Sequence, residues 1–269
     1  MALRIVTCTN GGIYGAVVLD RLLACNRIQV VGLIESSRVL RSRYSWWRGA
    51  VEQIRLSGPS YALYLWCATS FSDVLGQLSP LGSVSAQAHQ HAIPKLVTRD
   101  VNDARGRSFL QDLAPDLLIS AFFNQRIAQP VFTIPRLGGI NIHPSLLPDY
   151  RGVDPVFFAT LRGVQILGVT VHRIDADFDT GNILVKEAVP LPPGQSLIKI
   201  TALLFRRGAE LVVAHIDEIA QMAHGTAQER EGAYDSWPSA SEVRRLRRGT
   251  RLVRWRDLVA IASGSLTEA

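Results

Sequence analysis

The sequence predicts an α/β fold, with an open, mostly parallel sheet flanked by helices. Three observations predict it. Short apolar runs at residues 3–7, 29–34, 93–97 and 116–121 alternate with stretches of helical spacing. The first run ends in Thr9, Asn10, Gly11 and Gly12 and passes through an amphipathic stretch to the second. That β-loop-α-β opening implies parallel strands with a right-handed crossover. The apolar fraction is 47% over 269 residues, enough for one large core and too high for a disordered chain.

Each element follows in order. Residues 13–24 form the first helix. Residues 36–85 interrupt the rhythm with Trp46, Trp47, Tyr61, Tyr64, Trp66 and Phe71 at loose helical spacing, a helical insertion. It covers the sheet edge or an oligomer contact; a substrate lid and a membrane-surface contact are the alternatives. Asn102 or Asp103 caps a helix that runs to Leu113. The run at 116–121 ends in Phe122, Phe123 and Asn124, and residues 139–143 form the next strand. A proline-rich loop (144–155), a short helix (156–161), strands at 167–173 and 183–189 separated by an acidic loop, and one or two helices over 196–223 complete the series. Together these make a Rossmann-like domain over residues 1–223. Residues 224–269 read as a linker and a short basic C-terminal extension, whose stretch 243–259 suits a helix followed by a strand. In open parallel sheets ligands sit beyond the carboxyl ends of the strands. The loops at 9–12, 122–124 and 143–152 meet that description.

Composition narrows the setting. Cys8, Cys25 and Cys67 are odd in number and scattered, so neither a disulfide framework nor a metal cluster is implied, and a reducing cytoplasm is the simple reading. The N-terminus lacks the pattern of a signal peptide, and the longest uncharged stretch, between Arg55 and Asp73, is too short for a membrane span. The net charge is +6. Much of the excess lies in Arg38, Arg41, Arg43, Arg48 and Arg55, and in Arg244, Arg245, Arg247, Arg248, Arg251, Arg254 and Arg256. Such clusters are solvated helix faces or meet phosphates, anionic lipids or nucleic acid.

The chemistry concentrates after residue 140. On a strand, Asn141 and His143 point to one face and present an amide beside an imidazole. Both suit a negative charge developing on a carbonyl oxygen, although the pair alone reads as readily structural. Pro144 and Pro148 stiffen the following loop. Asp175, Asp177 and Asp179 then crowd one loop that lacks the spacing of a calcium site. A carboxylate from Asp179 beside His143 would orient the imidazole, raise its pKa and accept a proton from an attacking amine. Asn10 and Gly12 stand where a helix N-terminus can approach an anion. His89 and His91 lack a third metal ligand, and His172 reads as structural.

Asn141-Ile-His143-Pro-Ser-Leu-Leu-Pro148 with Arg151-Gly152, then Gly168-Val-Thr-Val-His172 and Asp179-Thr-Gly-Asn-Ile-Leu184, resembles the signature of the folate-dependent formyltransferases. The resemblance covers residues 3–215 apart from the insertion. It implies that Asn141, His143 and Asp179 are the catalytic trio and that 10-formyltetrahydrofolate is the donor, with no metal. It further implies that the pterin lies near residues 121–126 and 174–179, with Phe122, Phe123, Asn124, Arg126, Ile174, Asp175, Ala176 and Asp177 as its candidate neighbours. Phe122 and Phe123 serve equally well as core. Ser145, Arg151 and Gly152 join Asn10 and Gly12 as candidate substrate contacts. The expected acceptor is an amine of a small metabolite or nucleotide-sugar, with methionyl-tRNA second. A formyltetrahydrofolate hydrolase and a non-catalytic folate-binding protein remain alternatives. The aromatic insertion makes a homodimer an expectation.

Overall fold

The computed structural model describes residues 2–40, 44–75, 79–190, 194–222, 224–229 and 232–266. Arg41, Arg43 and the expected boundary residue Ala223 lie outside the described residues. The chain opens with β1 (Leu3–Thr9), α1 (Gly12–Leu23) and β2 (Ile28–Ser36). Two helices follow, α2 (Trp46–Ser57) and α3 (Pro59–Leu75), and then α4 (Val84–Gln90). The alternation resumes with β3 (Lys95–Thr98), α5 (Ala104–Leu113), β4 (Leu117–Ala121), α6 (Gln129–Phe132) and β5 (Gly139–His143). Next come β6 (Arg151–Gly152), α7 (Pro155–Leu161), β7 (Leu167–Arg173) and β8 (Ile183–Val189). The chain closes with α8 (Leu197–Ala214), α9 (Ile216–Ala220), β9 (Tyr234–Asp235), α10 (Ala240–Leu246) and α11 (Trp255–Ala262).

Seven strands form one sheet in the order β3-β2-β1-β4-β5-β7-β8. The first five are parallel, whereas β7 runs antiparallel to both β5 and β8. Nearly every residue of β1, β4 and β5 is buried, as expected of strands covered on both faces. Caps fix several helix starts. Asp103 accepts from Gly106 N–H, which selects it over Asn102, and Asp154 accepts from Phe157 N–H.

Within the aromatic stretch at 36–85 the described residues hold α2, α3 and the start of α4, and α3 lies directly on the start of α1. A Cβ at Gly12, whose φ is +65°, would meet the Ala68 carbonyl oxygen at 1.9 Å. The end of the chain departs from expectation. Residues 243–259 hold no strand; they contain the end of α10 and the start of α11. A capping box between Ser239 and Glu242 starts α10, and Leu258 and Ile261, one helical turn apart, bury the inner side of α11. The backbone N–H groups of Leu197 and Ile198 donate to Arg251 and Leu252 carbonyls. A single core cluster includes Leu3 and Leu266, so the segment after residue 224 shares the core of the sheet.

Candidate active site

The site forms where β5 ends. Asn141 and His143 emerge on one face of the sheet, and the antiparallel register sets His172 of β7 opposite Asn141 and Thr170 opposite His143. His172 Nδ1 lies 2.8 Å from the Arg173 carbonyl, and Asn141 Nδ2 lies 3.1 Å from His172 Nε2. This pattern assigns the His172 proton to Nδ1, so that Nε2 accepts from the Asn141 amide. One N–H of Asn141 is thereby fixed, and the amide plane with it.

His143 is 4% exposed. Its Nδ1 lies 3.4 Å from Asp179 Oδ1, and its Nε2 lies 3.0 Å from the Tyr150 carbonyl oxygen. Burial pushes the imidazole below its ordinary value, against the pull of the Asp179 carboxylate. For Asp179, burial acts upward. Charge on His143, the nearby His172 ring and the Gly152 N–H, 3.2 Å from Oδ2, outweigh it and hold the carboxyl at about 2. Asp179 is therefore an ionised carboxylate in a dry setting.

Three non-glycine residues with left-handed backbone border this cluster: Phe122 (φ 51°), Tyr150 (φ 57°) and Asp179 (φ 56°). Such angles cost energy and persist only where surrounding contacts impose them. The contacts are visible. Arg151, which is buried, donates from Nε and Nη2 to the Phe178 carbonyl and from Nη1 to the Gly232 carbonyl. Gln228 Nε2 donates to the carbonyls of Asp179 and Gly181 at 2.8 and 3.0 Å. Strand β9 pairs with β6, and Arg162 grips Asp235 through two bonds of 2.7 and 2.6 Å. Gly152, at φ 123°, has no space for a side chain, since a Cβ would meet the Asp235 carbonyl at 2.0 Å. The expected linker is thus a strap across the Asp179 loop.

The expected site residues divide into two groups. Asn141, His143 and Asp179 come together. Several polar groups of the candidate substrate contacts have internal partners. Ser145 is buried and donates to the Asp149 carbonyl, Arg151 and Gly152 hold the Asp179 loop, and Gly12 lies beneath α3. The Asn10 N–H donates to the Phe122 carbonyl at 2.7 Å and joins the loops after β1 and β4. Among the candidate donor neighbours, the Asn124 side chain is taken up by Ser36 and the Arg38 carbonyl. Phe122 is partly buried against Tyr14 and Phe205, and Phe123 packs on the second core cluster. Arg126 donates twice to the Ala176 carbonyl and ties loop 122–126 to loop 174–179. The Ile174 N–H donates to the Gly139 carbonyl, while Asp175, Ala176 and Asp177 are exposed. The partners that sequence reasoning missed are His172, Gln228 and a buried pair, Tyr61 and Asp154, with Tyr61 Oη 2.8 Å from Asp154 Oδ2.

Residues 82–216 match the family described as Formyl transferase. The chain belongs to the formyltransferase family. A methionyl-tRNA formyltransferase of Roseiflexus castenholzii is 32% identical over 82% of this chain and 60% of its own length. The chain spans about half to three-fifths of the curated relatives it matches. The phosphoribosylglycinamide formyltransferase of Bacillus halodurans shares the fold with a TM-score of 0.56 at 18% identity, over 80% of this chain and 94% of that one. A sugar 3N-formyltransferase solved with dTDP and 5-N-formyl-THF does so with a TM-score of 0.55 at 19% identity, over 88% and 70%. In this formyltransferase the matched segment begins after α3 and carries Asn141, His143, His172 and Asp179. The strap after residue 224 lies outside it.

Proposed function

We propose that the chain transfers a formyl group from 10-formyltetrahydrofolate to a primary amine, with Asn141, His143 and Asp179 as the catalytic groups. The observation that carries this reading is the buried contact of His143 Nδ1 with Asp179 Oδ1 at 3.4 Å, beside Asn141 at the carboxyl end of β5. The donor fits the neighbouring surface. Loops 122–126 and 174–179 are joined by Arg126 and border the same strand end, and residues 175–178 are exposed beside it. A solved relative carries 5-N-formyl-THF.

In this reading the neutral amine attacks the formyl carbon, and the carbonyl electron pair moves to oxygen. The Asn141 amide donates to that oxygen, and the His143 imidazolium stabilises it through its positive charge. Burial keeps the resting imidazole acidic, and the oxyanion forming beside it makes protonation favourable. The amine's proton passes to the Asp179–His143 pair, directly or through water. The bond from the formyl carbon to N10 then breaks, and N10 takes one proton. The products are a formamide and tetrahydrofolate.

The acceptor is read as an amine of a small metabolite or nucleotide-sugar. Residues 224–266 fold onto the sheet's core and close over the Asp179 loop, beside the proposed site. Methionyl-tRNA is the second reading, favoured by the 32% identity to an enzyme of that name and by the exposed arginines of α10. The test is an amine library, with aminoacylated tRNA included, incubated with enzyme and 10-formyltetrahydrofolate and followed by mass spectrometry. One formylated product is expected. Release of formate without any acceptor would point to hydrolysis, and folate binding without turnover to a binding protein.

A further inference from the structure

Four tryptophans stand out from the surface. Trp46, Trp47, Trp66 and Trp255 are 54, 74, 43 and 68% exposed, although aromatic side chains gain most from burial. Their neighbours repeat the pattern. Trp47, Val51 and Ile54 fall at i, i+4 and i+7 on α2; Leu63, Trp66 and Val74 share a stripe on α3; Trp255 and Val259 are one turn apart on α11. All of these are exposed. The three helices are neighbours, for α2 packs on α3, and Phe71 of α3 meets Trp255 edge-on at 5.9 Å. Helix α10 borders them, with Arg247 Nη1 2.8 Å from Ser60 Oγ of α3.

The charges around this face have one dominant sign. Arg48 and Arg55 lie on α2, Arg254 and Arg256 at the start of α11, and Arg244, Arg245, Arg247 and Arg248 on and just after α10. The carboxylates are few. Glu52 is paired with Arg55 at 3.5 Å, Glu242 is bound in its capping box, Asp257 is buried against Ser196, and Asp73 is exposed on α3. Two such faces brought together would set arginine against arginine. A bilayer with anionic headgroups accepts both components: tryptophan settles at headgroup depth, and arginine extends from it to phosphate.

We propose that the outer face of α2, α3 and α11 docks on an anionic phospholipid surface. No described helix is long and apolar enough to cross a membrane, so the helices lie along the surface and do not enter it. The inner side of α3 covers Gly12 and reaches Asp154 through Tyr61, so the docked bilayer lies across α3 from the sheet. The inference stands whether or not the chain transfers formyl groups.

Flotation of the full chain with vesicles tests it, using phosphatidylcholine alone or mixed with phosphatidylglycerol. The chain is expected to float with the mixed vesicles only, and its tryptophan emission should shift to the blue and be quenched by brominated lipid. Trp47→Ser with Trp255→Ser should weaken partitioning by about tenfold through loss of two interfacial side chains. Arg48→Glu with Arg256→Glu should remove the preference for phosphatidylglycerol. Both variants alter exposed positions, and circular dichroism and thermal melting check their fold. Failure to float with the mixed vesicles overturns the proposal, as does flotation that neither variant changes. Tryptophans that become shielded with rising protein concentration alone would assign the face to a second copy, and shielding by added tRNA alone would assign it to nucleic acid; either result overturns it.

Discussion

His143 faces two acceptors at once. A carbonyl oxygen stands at Nε2 and a carboxylate oxygen at Nδ1, an arrangement that only the imidazolium satisfies on both sides. Burial opposes that charge. Burial and the carboxylate therefore pull the imidazole in opposite directions, with burial the larger. His143→Ala should lower kcat by about 10²–10³ or more, and Asp179→Asn should lower it comparably while leaving the loop in place; single-turnover kinetics with a fixed acceptor measures both. Asp179 also carries a pH signature. Its folded pKa of about 2 lies below the ordinary carboxylate value of 3.8, so its ionisation stabilises the fold. That contribution is complete above the unfolded value and is lost as pH falls towards about 2. Denaturant unfolding of wild type and Asp179→Asn should show a stability gap that narrows over that window and stays constant above it. Cys8 takes no part, since burial pushes its thiol up.

At the scale of elements, Asp154 joins three of them. It caps α7, accepts a hydrogen bond from Tyr61 of α3 and ends the loop that carries Tyr150 and Gly152. Burial outweighs these bonds and raises its carboxyl to about 6. A raised acid costs stability where the unfolded chain ionises first, so the cost grows as pH rises from 3.8 towards 6 and is constant above. Asp154→Asn keeps the cap and the Tyr61 bond without the charge. It should raise the melting temperature at pH 7.5, with the gain vanishing at pH 3.5, as calorimetry at the two values would show. The strands, the Asp103 cap and the convergence of Asn141, His143 and Asp179 were legible because period, turn chemistry and short motifs are local signals. His172 read as structural, but its contact with Asn141 was not legible because it depends on the antiparallel register of β7 against β5. One clue existed, for loop 174–182 between β7 and β8 is shorter than a parallel crossover requires. Gln228 and Arg151 were hidden for a different reason, since a contact between side chain and distant backbone leaves no periodic trace.

At the scale of the whole molecule, the sheet's core and the C-terminal segment are one body. Val243, Leu246, Leu252, Leu258 and Ile261 are buried in the same cluster as the sheet's inner residues. Removing residues 224–269 uncovers apolar surface on α8 and unties the Asp179 loop together. Such a truncation should lose cooperative unfolding or most of its stability, since several buried aliphatic side chains at about 1.5–3 kcal/mol each rival the total of a typical domain. Urea titration followed by tryptophan emission measures it. The same unity explains why the sequence suggested a linker. Residues 224–229 are polar, and hydrogen bonds of the Gln228 side chain and the Thr226 backbone, rather than hydrophobicity, attach them to the loop.

The strap also has a consequence in time. Asn141, His143 and Asp179 emerge early in synthesis, yet Gln228, Tyr234 and Asp235 hold the left-handed turn at Asp179 in its working shape. A nascent chain that has released its whole parallel sheet still lacks them. The turn at Asp179 is therefore shaped only after the strands around it have been made, so its geometry depends on residues that follow the sheet in the chain.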